Sequence, residues 1–172
     1  MSDLTATAVK SMRSLRLPLA LALAVLAPAC GEDPITAGDA TRAVLTVSVS
    51  PNPIPPSQNL LTGAVSIGYR ITITEVAGLG GEVLFVSAQV YDPESGLLAS
   101  LTYYDGADLI VFVGTKRLDP GGTMEVPQTT SYVLPDLRVN ALLAINVQMK
   151  DDRENLINQS ILVKVEPPAS SS

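Results

Sequence analysis

At 172 residues the chain has room for one domain with a real core, and its net charge of −6 with no basic stripe argues against nucleic acid as a partner, because Lys and Arg supply most of that affinity. The absence of histidine removes Ser-His-Asp and Cys-His nucleophilic systems and the commonest transition-metal ligand. The one cysteine, Cys30, has no disulfide partner within the chain.

The first segment reads as an address. Basic residues Lys10, Arg13 and Arg16 precede the apolar run from Leu17 to Ala27, and Pro28, Ala29, Cys30 and Gly31 follow it. The run is too short to span a bilayer as a helix, and small residues stand where a cleavage site belongs. Residues 1–29 are therefore expected to be a signal peptide; a start at Met12 would leave a more compact one. Leu26-Ala-Pro-Ala-Cys30 resembles a bacterial lipobox, although Ala27 stands where a large apolar residue is usual. The resemblance implies lipidation at Cys30; the other reading of the same bond is ordinary signal-peptidase cleavage of a secreted protein.

Cleavage before Cys30 leaves 143 residues and removes three of the 11 basic and one of the 17 acidic side chains, for a net charge of −8. Such a chain has no electrostatic reason to sit on anionic lipid, so membrane attachment is expected through acyl chains. Residues 30–41 are small, polar and unpatterned, as suits a flexible tether. Gly31 rather than Asp after the cysteine resembles lipoproteins sorted to the outer membrane.

From Arg42 a period of two takes over. Leu45, Val47 and Val49 alternate with polar residues, which predicts a strand with one buried face, ended by the prolines of Pro51-Asn-Pro-Ile-Pro-Pro56. Val65, Ile67, Tyr69, Ile71 and Ile73 predict a long strand, and Ala77 to Gly81 a turn. Val83 to Tyr91 reads as a strand with Leu84, Val86, Ala88 and Val90 on one face; Asp92-Pro-Glu-Ser-Gly96 turns it, and Leu97 to Tyr104 is expected to pair back. Leu109-Ile-Val-Phe-Val113 is apolar on both faces, so it reads as a doubly buried strand in preference to a helical turn capped by Asp105 or Asp108.

Gly114 to Gly122 is expected to be a loop, and Thr123 to Leu134 a strand that Pro127 places at an edge or a bulge. Leu137, Val139, Ala141, Leu143, Ile145, Val147 and Met149 then alternate with polar residues into the loop 151–155, and Leu156 to Glu166 returns. Residues 167–172 read as a frayed tail. Seven or eight strands within residues 42–166 predict an all-β domain, an immunoglobulin-like two-sheet β-sandwich, with a small closed barrel as the alternative.

Val49-Ser-Pro-Asn-Pro-Ile54, Tyr69-Arg-Ile-Thr-Ile-Thr-Glu75 before its Gly-rich turn, and the run from Ile145 to Leu156 resemble bacterial immunoglobulin-like lipoproteins of uncharacterised function. Those motifs are specific to a fold and carry over no catalytic residue. The acidic residues gather in predicted turns, where Asp and Asn are ordinary, rather than as an acid and base pair in a cleft. Hard oxygen ligands at loop tips suit calcium, so Asp151, Asp152, Glu154 and Asn155 in one loop and Asp92 and Glu94 in another form the candidate metal site, on condition that both loops share an end of the sandwich. Tyr103 and Tyr104, being adjacent, are expected on opposite faces of a strand, which weakens a sugar platform. The function expected is a non-catalytic cell-envelope lipoprotein, a structural or protein-binding module with no cofactor; the alternative is a calcium- or glycan-binding module of the cell surface.

Overall fold

Strict alternation of apolar and polar residues becomes strand after strand, because a pleated backbone puts successive side chains on opposite faces. The computed structural model describes residues 40–59, 61–135 and 140–168. The expected signal segment, Cys30, most of the tether, Leu137, Val139 and residues 169–172 lie outside them. The described residues form β1 (Leu45–Ser50), β2 (Pro56–Gln58), β3 (Val65–Glu75), β4 (Gly81–Tyr91), β5 (Leu98–Asp105), α1 (Gly106–Val113), β6 (Arg117–Leu118), β7 (Thr123–Tyr132), β8 (Ala141–Asp151) and β9 (Leu156–Val165).

Two antiparallel sheets result. In the first, β3 is central: β7 pairs along one side of it, and β1 and β2 pair with its C-terminal and N-terminal halves on the other. In the second, the order is β5, β4, β8, β9, with β6 completing the β4 pairing at Gly81 and Glu82. The proline segment after β1 crosses between the sheets, where Ile54 bonds the backbone of Lys164 and Glu166 beside β9. Pro127 lies on β7, which among the described residues pairs only with β3 and so forms an edge.

One core fills the space between the sheets. Val65, Ile67, Tyr69, Ile71 and Ile73 of β3 face Leu143, Ile145, Val147 and Met149 of β8 within a single cluster of buried side chains. Complete burial of a side chain of this size contributes about 1.5–3 kcal/mol, which is what holds the register against a one-residue slip. The fold is the all-β, two-sheet sandwich expected.

Two expectations need correction. Leu84 is not on the inward face of β4, because a bulge between Val83 and Phe85 shifts the phase there. Val83 and Val86 are both fully buried, while Leu84 is partly exposed. Residues 109–113 are helix, not strand. The Asp105 carboxylate accepts from the N–H of Ala107 and Asp108 at 2.8 and 3.0 Å, and the Asp108 carboxylate accepts in turn from the Asp105 N–H, which closes a capping box. Gly114, at φ 89°, ends the helix in the left-handed region. Of its large apolar side chains only Leu109 is fully buried; Ile110, Val111 and Phe112 stand exposed, so the run was apolar without being doubly buried.

Candidate functional site

Three strands end in a carboxylate that keeps the phase of their buried residues. On β3 the inward series Val65, Ile67, Tyr69, Ile71, Ile73 closes with Glu75; on β8 the series from Ala141 to Met149 closes with Asp151; after β4, Val86, Ala88 and Val90 are followed by Asp92. A charge in such a position must find partners or remain neutral. Each turns over the end of the core and satisfies the backbone of the loop that follows.

Glu75 is 1% exposed and accepts five backbone N–H bonds: Val44 and Ala77 on Oε1, and Gly78, Leu79 and Gly121 on Oε2. Burial pushes its pKa up, but the N–H donors of Gly121, Ala77, Val44 and Gly78 outweigh that and hold the carboxyl below its usual 4.5. Asp151, 2% exposed, accepts from the backbone of Ala43, Arg153 and Asn155 and from the Asn155 side chain. The balance is the same: burial raises its pKa, and bonds from Asn155, Ala43 and Arg153 bring it below 3.8. Asp92 accepts from the Glu94 N–H and the Ser95 hydroxyl. The sequence signal for all three was present, since each is a carboxylate on an apolar phase beside a turn.

These bonds redefine the candidate calcium residues. Gly81, the first residue of β4, pairs with Asp151, while Tyr91, its last, pairs with Leu142. Asp92 and Glu94 therefore lie at the opposite end of the sandwich from Asp151, Asp152, Glu154 and Asn155, roughly 30 Å away at about 3.3 Å per residue. No ion can be shared between them. Within the 151–155 loop the positive charge comes from the protein itself. Arg117 grips Asp152 through two bonds of 2.9 and 2.8 Å, and Lys150 reaches Glu154 at 2.8 Å. The Arg117 bond and charge lower the pKa of Asp152, and Glu154 raises that of Lys150. Among the described residues no group of three or more Asp, Glu or Cys is arranged to hold a metal.

Both outer sheet faces carry shallow depressions. On the first sheet one of 530 Å³ is lined by Ser50, Arg70, Thr72, Glu125 and Pro127, with Arg70 bonded to Glu125 at 3.0 Å. On the second, one of 420 Å³ lies over Phe85, Ser87, Gln89, Tyr103, Asn146 and Asn158. Tyr103 and Tyr104 do face opposite ways. Tyr104 packs on the core and meets Phe112 edge to face at 5.2 Å, whereas Tyr103 is exposed and stacks on Phe85 at 5.4 Å.

The fold thus defines a two-sheet β-sandwich protein whose charged core ends brace its loops. Among solved structures it is similar to a Northeast Structural Genomics Consortium target, SoR45, at 15% identity and TM-score 0.56, covering 74% of this chain and 90% of that one. It is likewise similar to a protein described as ApaA from Bordetella pertussis, at 16% identity and TM-score 0.56, covering 74% and 97%. A CARDB domain of the PF1109 protein from Pyrococcus furiosus, solved with di-metal ions, superposes at TM-score 0.39 with 16% identity, covering 72% and 87%. At these identities the first two likenesses concern the fold alone. No family model and no curated protein matches the chain.

Proposed function

We propose that the chain is an exported, lipid-anchored and non-catalytic module of the bacterial envelope, with Cys30 carrying the lipid, residues 31–41 the tether and the sandwich displayed from the outer membrane as a structural or protein-binding domain. The observation that supports this reading is the way the chain joins the domain. Asp151 holds the Ala43 N–H, Glu75 holds the Val44 N–H, and the side chain of Asn155 donates to the Thr41 carbonyl. A multiply bonded entry at residues 41–44, next to a sequence of small, polar residues, suits a domain hung from its N-terminus. The two most buried carboxylates are also occupied with donors from the loops they brace, mostly backbone N–H groups, as a structural role requires and an acid–base pair in a cleft would not.

The test is intact mass and fractionation of the protein expressed in a Gram-negative host, wild type beside Cys30→Ser. A diacylglycerol-sized increment on Cys30, with membrane association that the variant loses, is the expected result. Soluble, unmodified protein in both cases would replace the anchored reading with a freely secreted one.

A further inference from the structure

The outer face of the second sheet carries a surface that anchoring leaves unexplained. Its register aligns three rows across β5, β4, β8 and β9: Leu101, Gln89, Ala144, Leu162; Tyr103, Ser87, Asn146, Ser160; and Asp105, Phe85, Gln148, Asn158. Apart from Asp105 at the rim, none of these side chains is charged, in a chain of net charge −6. They are neutral amides, hydroxyls, aromatic rings and aliphatic groups, among them the exposed Leu101 and Leu162. A face of that chemistry repels neither sign and has no means of selecting an ion, so its complement is a neutral polar ligand.

The polar groups are held in fixed positions by one another. The Ser160 hydroxyl donates to Asn146 Oδ1 at 2.7 Å, Asn146 Nδ2 reaches the Ser87 hydroxyl at 3.5 Å, and Gln148 Nε2 donates to Asn158 Oδ1 at 2.8 Å. That ladder leaves Asn158 Nδ2, Gln89 Nε2 and the Tyr103 hydroxyl with no partner among the described residues, on three of the side chains that line the 420 Å³ depression. Beside them the Phe85 and Tyr103 rings stack at an interplanar angle of 29°, and Tyr103 is 54% exposed. Ring faces next to spare amide donors are what a sugar ring uses: its apolar C–H face stacks, and its hydroxyls accept and donate.

We propose that this face binds a β-linked, N-acetylated glycan chain. Strands lie ~4.8 Å apart, close to the repeat of a β-linked hexose chain, so a chain laid across the strands presents about one ring to each strand. An acetamido group needs an apolar seat for its methyl beside an amide for its N–H and C=O. Ala144 and Leu101, flanking Gln89 in the same row, offer both. The proposal is independent of anchoring at Cys30, and its test uses a chain without the anchor.

The experiment is an amide-resolved NMR titration of the full-length Cys30→Ser protein with chitotetraose in its N-acetylated form, beside cellotetraose, which has the same linkage and no acetamido groups. The expected result is saturable shifts confined to the strands around Phe85, Ser87, Gln89, Tyr103 and Asn146, with Kd of about 1 mM or tighter for the acetylated chain and weaker binding of cellotetraose. Tyr103→Ala is expected to reduce affinity at least about tenfold, a loss of about 1.4 kcal/mol. Asn158→Ala, at an exposed position that disturbs no core packing, is expected to reduce it severalfold. No saturable shift, shifts elsewhere on the domain, equal binding of the two oligosaccharides, or unchanged affinity in both variants would overturn the proposal.

Discussion

Replacing Glu75 by Gln removes the charge while keeping the shape, and the structure sets what this does. One carboxylate oxygen takes two backbone N–H donors and the other takes three. An amide has one acceptor oxygen, so its NH2 group must face either set. The cheaper orientation puts it against Val44 and Ala77, and two N–H groups then lose their acceptor. At about 1–3 kcal/mol for each donor left unsatisfied, and with the remaining three bonds weakened by loss of charge, Glu75→Gln is expected to cost about 2–6 kcal/mol. That is a large share of the ~5–15 kcal/mol by which domains are stable. Urea unfolding followed by circular dichroism measures it, since the chain has no tryptophan to report. The expected signature is a lower midpoint at unchanged slope. The half-exposed Glu82, which pairs with Lys116, is the control, and Glu82→Gln is expected to leave the midpoint in place. A loss below about 0.5 kcal/mol for Glu75→Gln, the ordinary scale of surface substitutions, would refute the reasoning.

Acid gives a related result. Folded Glu75 and Asp151 both titrate below their ordinary values of 4.5 and 3.8, so the stability they provide is fully present above those values and is lost as pH falls through the lower folded ones. Unfolding free energy measured against pH should fall below about pH 4, and a Glu75→Gln, Asp151→Asn double variant should show a shallower fall over that range. Leu109→Ala empties the fully buried position of α1 and is expected to cost about 2–5 kcal/mol by thermal or urea unfolding. Val111→Ser, on the exposed side of the same helix, is expected to change stability by no more than about 0.5 kcal/mol. Gln128 is buried on β7 and neither polar atom of its side chain has a hydrogen-bond partner among the described residues, so Gln128→Met is expected to stabilise the fold by about 1–3 kcal/mol. A destabilised Gln128→Met variant would show that the amide is satisfied after all.

The sheets were legible because period-two burial is a local pattern. Val65 to Ile73 and Ala141 to Met149 state which face is inward without reference to anything else in the chain. What escaped depended on a partner or on a single inserted residue. Nothing in Val83 to Tyr91 announces that Leu84 is the bulge, since the phase shift exists only relative to Met149 and Gln148 across the ladder. The stretch 109–113 misled because its composition spoke for burial, while the decisive signals were the spacing of Asp105 and Asp108 and the glycine at 114. The condition that the two acidic loops share an end of the sandwich was a matter of topology. Asp92 and Asp151 look alike in sequence, and only the pairing of β4 with β8 places them at opposite ends. The face carrying Tyr103 was half legible: its outward direction follows from alternation, but the stacking on Phe85 and the amide rows need three neighbouring strands.

The two buried carboxylates at the start of the domain belong to different sheets, Glu75 to the first and Asp151 to the second, and they hold consecutive backbone N–H groups of Val44 and Ala43. The Arg42 guanidinium donates to the Leu156 carbonyl, and the Thr41 carbonyl accepts from Asn155 in the β8–β9 loop. A mechanical load applied at the N-terminal end of the domain is therefore divided between the two layers before it reaches the β1–β3 ladder. Neither sheet can be peeled from the other by tugging at the N-terminus until both clamps have given way together, so the domain should resist a pull from this end better than one applied from β9.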